Sequence, residues 1–171
     1  FGLLVGAAVL FTFAAYLGWT KELFGRQPIY KSRWMWLGPI VVLTPITLRV
    51  LGIDWGGPSV AVVVTVMLTG LMVGVVEELM FRGFAVKMLR AAGHGELTVA
   101  ALASLLFALS HSVNVLTGQA LSSVAVTVFY TFGFGVLMYL TLRVTGFLVW
   151  AMLLHGLSDP TTMLASGGID K

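Results

Sequence analysis

A chain of 171 residues that is 58% hydrophobic and 10% charged, with a mean hydropathy of +1.00, lies outside the range of soluble globular domains and reads as an integral membrane protein. A net charge of +3 without a basic run gives no footprint for nucleic acid, and the lack of cysteine excludes disulfides, thiolate catalysis and cysteine-ligated metals. The length holds about six spans of ~20 residues and no second soluble domain; the runs are too long for barrel strands, so the expected fold is an all-α transmembrane bundle, one domain over residues 1–171.

Residues 1–20 form the first apolar run, read as a span because it lacks the basic start and small-residue cleavage site of a signal peptide. Phe1 is not an initiator methionine, so an excised or trimmed chain is expected, with a seventh helix if a terminal one was removed. Residues 21–33 are the most basic stretch, carrying Lys21, Arg26, Lys31 and Arg33. The second run covers 34–53, with Trp34 and Trp36 suited to a membrane interface and Pro39 and Pro45 expected to kink the helix. Residues 54–58 read as a turn. From Ser59 a proline-free helical pattern continues to residue 92. That is roughly 50 Å of helix, longer than a bilayer core, so its end with Lys87 and Arg90 is expected outside lipid. Gly93, His94 and Gly95 break it, and residues 96–115 form the fourth run. After a turn at 116–119, residues 120–142 form the fifth, where Gly133 and Gly135 permit close packing. Residues 143–146 separate it from the last, 147–165, in which Pro160 is expected to kink or end the helix.

Positive charge alternates along this series. The first, third and fifth connections carry basic residues and the second and fourth carry none, so the positive-inside rule puts the segments at 21–33, 85–96 and 143–146 in the cytoplasm and both termini outside.

The third run contains Glu77, Glu78 and Arg82 among apolar neighbours. A carboxylate in lipid costs roughly 2.5–3.5 kcal/mol even on the lenient insertion scale, so acids there point to function. On a helix Glu78 and Arg82 are four apart and can pair, whereas Glu77 turns about 100° away and is left free for chemistry. Folding the third and fourth helices as a hairpin about His94 sets Glu77, seventeen residues before it, beside His111, seventeen after. His155 falls at similar depth in the sixth helix, with Asp159 one turn beyond it and Asn114 almost one turn beyond His111. A carboxylate, two imidazoles and a further acid suit activation of a water. Glu77 would accept its proton, His111 orient it, and His155, its ring held by Asp159 or Asn114, stabilise an oxyanion. Glu77, His111, His155 and Asp159 would equally serve as ligands of a divalent metal such as zinc, and the residues alone leave both mechanisms open.

The three motifs, Glu77-Glu78 with Arg82, Phe107 with His111, and His155 with Asp159, resemble those of the CPBP (Abi) family of intramembrane endopeptidases, which includes the type II CAAX prenyl proteases and bacteriocin-processing proteins. The resemblance covers positions 77–159 in the family's order. It implies that Glu77 and His111 activate the attacking water, that Glu78 pairs with Arg82 or assists, and that His155 and Asp159 form the oxyanion side. It departs at Asp159, where the prenyl proteases tend to have Asn; an acid is a poorer oxyanion donor and a better metal ligand or orienter of histidine.

The expectation is therefore an endopeptidase acting on a membrane-associated peptide or protein among membrane lipids, with no nucleic-acid partner. The competing reading is a non-catalytic immunity or scaffold protein, or a small transporter using the same groups as an ion or proton relay. Taken singly, Glu77, Glu78 and Arg82 also fit a solvated helix end, His111 and His155 interhelical hydrogen bonds, and Asn114 a structural role. His94 reads as a turn residue. Arg49 stays outside the expected site, as a side chain that snorkels to an interface or pairs with Asp54.

Overall fold

The computed structural model describes residues 2–27 and 32–167; Phe1 and Lys31 of the basic segment lie outside the described residues. Every regular element among these is helical: α1 (Gly2–Tyr16), α2 (Thr20–Phe24), a 3₁₀ turn (Arg33–Trp36) leading into α3 (Leu37–Gly52), α4 (Val60–Glu78), a π-helical segment (Leu79–Ala85) continuing into α5 (Val86–Ala91), α6 (Glu96–Ser110) with a 3₁₀ extension (His111–Thr117), α7 (Leu121–Thr145) and α8 (Leu148–Ala165). Four stretches are long and apolar enough to cross a membrane: Arg33–Gly52, Val60–Ala91, Glu96–Thr117 and Leu121–Thr145. The first helix stops at Tyr16, four residues short of the expected run, and at roughly 22 Å is shorter than a hydrocarbon core. The last is long enough, but polar residues around His155 and Asp159 dilute its hydropathy. It runs through Pro160 to Ala165, so the proline does not end it.

Local chemistry sets the boundaries. Ser59 caps α4, its Oγ accepting from Val62 N at 3.3 Å, which satisfies one of the free N–H groups of the first turn. The 93–95 break follows from Gly93 at φ +84°, a conformation that side chains with a Cβ disfavour. Threonine hydroxyls inside the helices return to carbonyls four residues back, as Thr131 does to Thr127 and Thr141 to Leu137, which keeps polar groups satisfied where lipid offers no partner.

The closest pairing in the bundle is α4 against α8; α6 lies along α7, α3 packs on both α7 and α8, and α1 leans on α4. Small residues make the α4–α8 contact. A Cβ at Gly74 would stand 2.5 Å from Met152 O, and one at Gly156 2.9 Å from Leu71 Cα. Backbones this close gain dispersion contacts, which drive helix association where no hydrophobic effect operates. Of the two glycines expected to allow close packing in α7, Gly135 does so, against Ser104 and Arg82, while Gly133 meets open space.

Charge gathers at one end of the bundle. Arg90 bonds Glu96 Oε1 at 2.8 Å and Gln27 Oε1 at 2.7 Å, Arg143 bonds Glu96 Oε2 at 2.6 Å, the Tyr139 hydroxyl bonds the same carboxylate, and Lys87 pairs with Glu22. Three basic segments distant in sequence therefore share one end.

Candidate active site

The site grows out of the α4–α8 seam. Glu78 lies one turn beyond Gly74 and His155 adjoins Gly156, so the glycine contact brings acid and imidazole within reach. Glu78 and Arg82 are both fully buried. Glu78 Oε1 accepts from Arg82 Nη1 at 3.0 Å and from His155 Nδ1 at 2.7 Å. With Glu78 as the acceptor of both, Nδ1 of His155 carries a proton and its other nitrogen, Nε2, is left for the cavity. The His155 ring is wedged edge-on between Phe107 and Phe134, at centroid separations of 5.7 and 5.0 Å, and the Arg82 guanidinium lies 4.4 Å from the Phe107 centroid. Arg82 fits because position 135 is glycine: a Cβ there would stand 3.0 Å from Nη2.

Glu77 points elsewhere. One residue earlier on the same helix, it retains 30% of its side-chain exposure and places Oε2 3.6 Å from His155 Nε2. Asp159 Oδ2 lies 3.8 Å from the same nitrogen with its side chain 56% exposed. Both distances exceed a hydrogen bond and leave Nε2 flanked by two carboxylates at ion-pair range. His111 starts the 3₁₀ extension of α6; its Nδ1 donates to Phe107 O at 3.0 Å, which leaves its Nε2 as an acceptor. Glu77, His111, His155 and Asp159 line one cavity of about 530 Å³, together with Arg49, Ser158, Phe107 and Phe134 among others.

Three details depart from the expected site. The His155 ring is held by Glu78, which also makes the expected pair with Arg82, and not by Asp159 or Asn114. Asn114 is not part of the cavity lining; its carbonyl serves the turn, accepting from Thr117 Oγ1 and Gln119 N. Glu77 and His111 share the cavity without an ion pair, and the imidazole nearest Glu77 is that of His155. One cavity residue, Arg49, escaped the sequence reading: it pairs with no acid among the described residues, and Asp54 instead accepts from Gly56 N. An isolated arginine within an apolar run was the signal for it. No three histidine, aspartate or glutamate side chains among the described residues converge as a metal-holding group. As placed, Glu77, His111, His155 and Asp159 do not converge on one point as a ligand set.

A family model described as type II CAAX prenyl endopeptidase Rce1-like matches residues 59–161, from the cap of α4 to Thr161 within α8. No curated protein matches the chain, and no solved structure does.

Proposed function

The chain belongs to the type II CAAX prenyl endopeptidase Rce1-like family, and from that membership we propose that it hydrolyses a peptide bond of a membrane-associated, prenylated peptide or protein inside the bundle. The observation that carries the mechanism is the placement of His155: its Nδ1 is held by a buried Glu78–Arg82 pair while its Nε2 meets Glu77 at 3.6 Å across a cavity. In this mechanism Glu77 takes a proton from a water whose second hydrogen is directed to Nε2 of His111. The oxygen attacks the scissile carbonyl carbon, and the oxyanion forms against His155, whose Nε2 donates to it in the doubly protonated ring. Three carboxylates surround that ring, at 2.7, 3.6 and 3.8 Å, an arrangement suited to an imidazolium while the carbonyl oxygen turns negative. The tetrahedral adduct collapses as Glu77 returns its proton to the departing amide nitrogen, so one water is consumed and a carboxylic acid and an amine are released. The charged end of the bundle would face the cytoplasm, as the distribution of basic residues favours.

The test uses purified protein in liposomes with a quenched, membrane-anchored peptide, prenylated and unprenylated. Glu77→Gln and His111→Gln should each lower kcat/KM by about 10²–10⁴-fold, the usual range for a lost acid–base group. Cleavage that survives both changes would remove the mechanism. Proton flux that depends on Glu77, without cleavage, would put a relay in its place.

A further inference from the structure

A cavity of about 710 Å³ lies at the charged end of the bundle, between α2 and the stretch formed by the π-helical segment and α5. It shares no lining residue with the site cavity. Leu23 and Val86, both almost fully buried, give it an apolar floor. Its rim carries Lys21, Arg26, Lys87 and Arg90 against Glu22 and Glu96.

The two acids are already engaged. Glu22 pairs with Lys87, and Glu96 accepts from both Arg90 and Arg143. The side chains of Lys21 and Arg26 make no hydrogen bond or ion pair with a described residue, and both are exposed. The wall that bears them is nonetheless fixed. Leu23 is buried, Gln27 N donates to Gly146 O at 2.8 Å, and Arg90 Nη1 donates to Gln27 Oε1 at 2.7 Å. Two cations without acids are therefore held over an apolar floor by a segment that folding has already ordered, which lowers the cost of binding an anion there.

The surroundings belong to a lipid surface. α1 ends at Tyr16, and Trp19, just beyond it, lies with its ring 4.8 Å from Lys87 Nζ, the placing of an indole between a span and the charges outside it. Phe11 stacks on Phe24 at 5.6 Å and Phe13 meets Phe84 at 5.5 Å, while Phe11 and Phe13 stay 43% and 48% exposed. Phe24 and Phe84 each neighbour a lining residue, Leu23 and Gly83, so an exposed apolar strip on α1 adjoins the cationic rim.

We propose that this cavity binds the phosphate-bearing headgroup of an anionic phospholipid, with Lys21 and Arg26 on the phosphate and the acyl chains along Phe11 and Phe13. Such a lipid joins in one molecule the two things this junction complements, an anion and apolar chains. Arginine meets phosphate through paired N–H groups and lysine as a point charge, and basic pockets between helices near a membrane surface take anionic headgroups. A zwitterionic headgroup brings a cation into a rim already rich in them. A soluble phosphate or an acidic peptide leaves the rings of α1 uncovered.

The experiment titrates purified protein in detergent with fluorescent phosphatidylglycerol and phosphatidylcholine of the same acyl chains. Wild type should bind phosphatidylglycerol roughly tenfold or more tightly. At about fivefold per basic residue, Lys21→Gln with Arg26→Gln should weaken phosphatidylglycerol about 25-fold and leave phosphatidylcholine within about twofold. Arg33, exposed where α3 begins beside the last turns of α7, is outside the cavity. Arg33→Gln removes an equal charge at the same end and, screened by salt, should change binding by less than about twofold. Phosphatidylglycerol should also raise the thermal midpoint of wild type more than that of the double variant. Should the double variant unfold early without lipid, Lys21→Gln alone carries the test at about fivefold. Equal binding of the two lipids, or an equal loss with Arg33→Gln, reduces the effect to diffuse attraction and overturns the site. Displacement of the labelled lipid by glycerol phosphate or a glutamate-rich peptide at the concentrations at which unlabelled phosphatidylglycerol acts assigns the cavity to a soluble anion and overturns the proposal. Binding is read without cleavage, so failure of the endopeptidase reading leaves this result standing.

Discussion

Glu77 and Glu78 are adjacent and chemically identical, yet they stand on opposite sides of His155 in different surroundings. Glu78 is sealed, with two hydrogen bonds at 2.7 and 3.0 Å and no exposure. Glu77 opens to a cavity and reaches His155 at 3.6 Å. In the proposed mechanism the contrast separates two tasks that a single carboxylate cannot combine. A group that fixes the position and tautomer of a histidine must be fully engaged, and a group that takes a proton from a reactant must keep an unengaged oxygen. The rotation between neighbours on a helix, about 100°, is enough to divide these tasks between them.

That division predicts separable failures. The largest effect belongs to Glu78→Ala, which leaves the Arg82 guanidinium buried without its acid; a loss of about 3–5 kcal/mol of stability is expected, together with loss of cleavage. Denaturant unfolding in detergent checks it, and a midpoint equal to wild type would break the distinction between the two glutamates. Glu77→Gln should remove about 10²–10⁴ of kcat/KM. Its unfolding free energy should change by no more than the ~0.5 kcal/mol usual for a site outside the packed core. The α4–α8 seam supplies the next size of effect: Gly74→Ala pushes a methyl against Met152 O and should cost about 1–3 kcal/mol by overpacking, lowering activity because Glu78 and His155 separate with the helices. The smallest effect is expected at Asp159, half exposed and 3.8 Å from Nε2. Asp159→Asn should change kcat/KM by less than about tenfold, its interaction being that of an exposed charge pair, and a larger loss would move Asp159 to the engaged side of the comparison.

Much of this arrangement is legible without coordinates. Hydropathy places the boundaries of α3, of the continuous α4–α5 run and of α6 within a few residues, because a bilayer-length apolar run interrupted by Gly or Pro has few ways to fold. The spacing also puts Glu77, His111, His155 and Asp159 at comparable depth, and the structure sets them around one cavity. Other features left no mark in the pattern. The π-helical turn at Leu79–Ala85 follows Glu78 without a residue that forbids α-helix, and its wider winding carries Arg82. Residues 17–19, apolar enough to extend the first run, turn instead at Gly18, with φ +69°. Gly70, Gly74 and Gly156 read as ordinary glycines until α4 and α8 meet.

What the amino-acid order determined by itself was the set of long apolar helices, the gathering of basic residues into alternate connections, and the small group of ionisable side chains in apolar runs. Each follows from the cost of placing polar groups in hydrocarbon, which every residue carries wherever the chain goes. Which acid holds which imidazole, and that Arg49 borders the cavity, was decided only by packing. Those outcomes depend on how closely two backbones approach and on the angle at which each side chain leaves its helix.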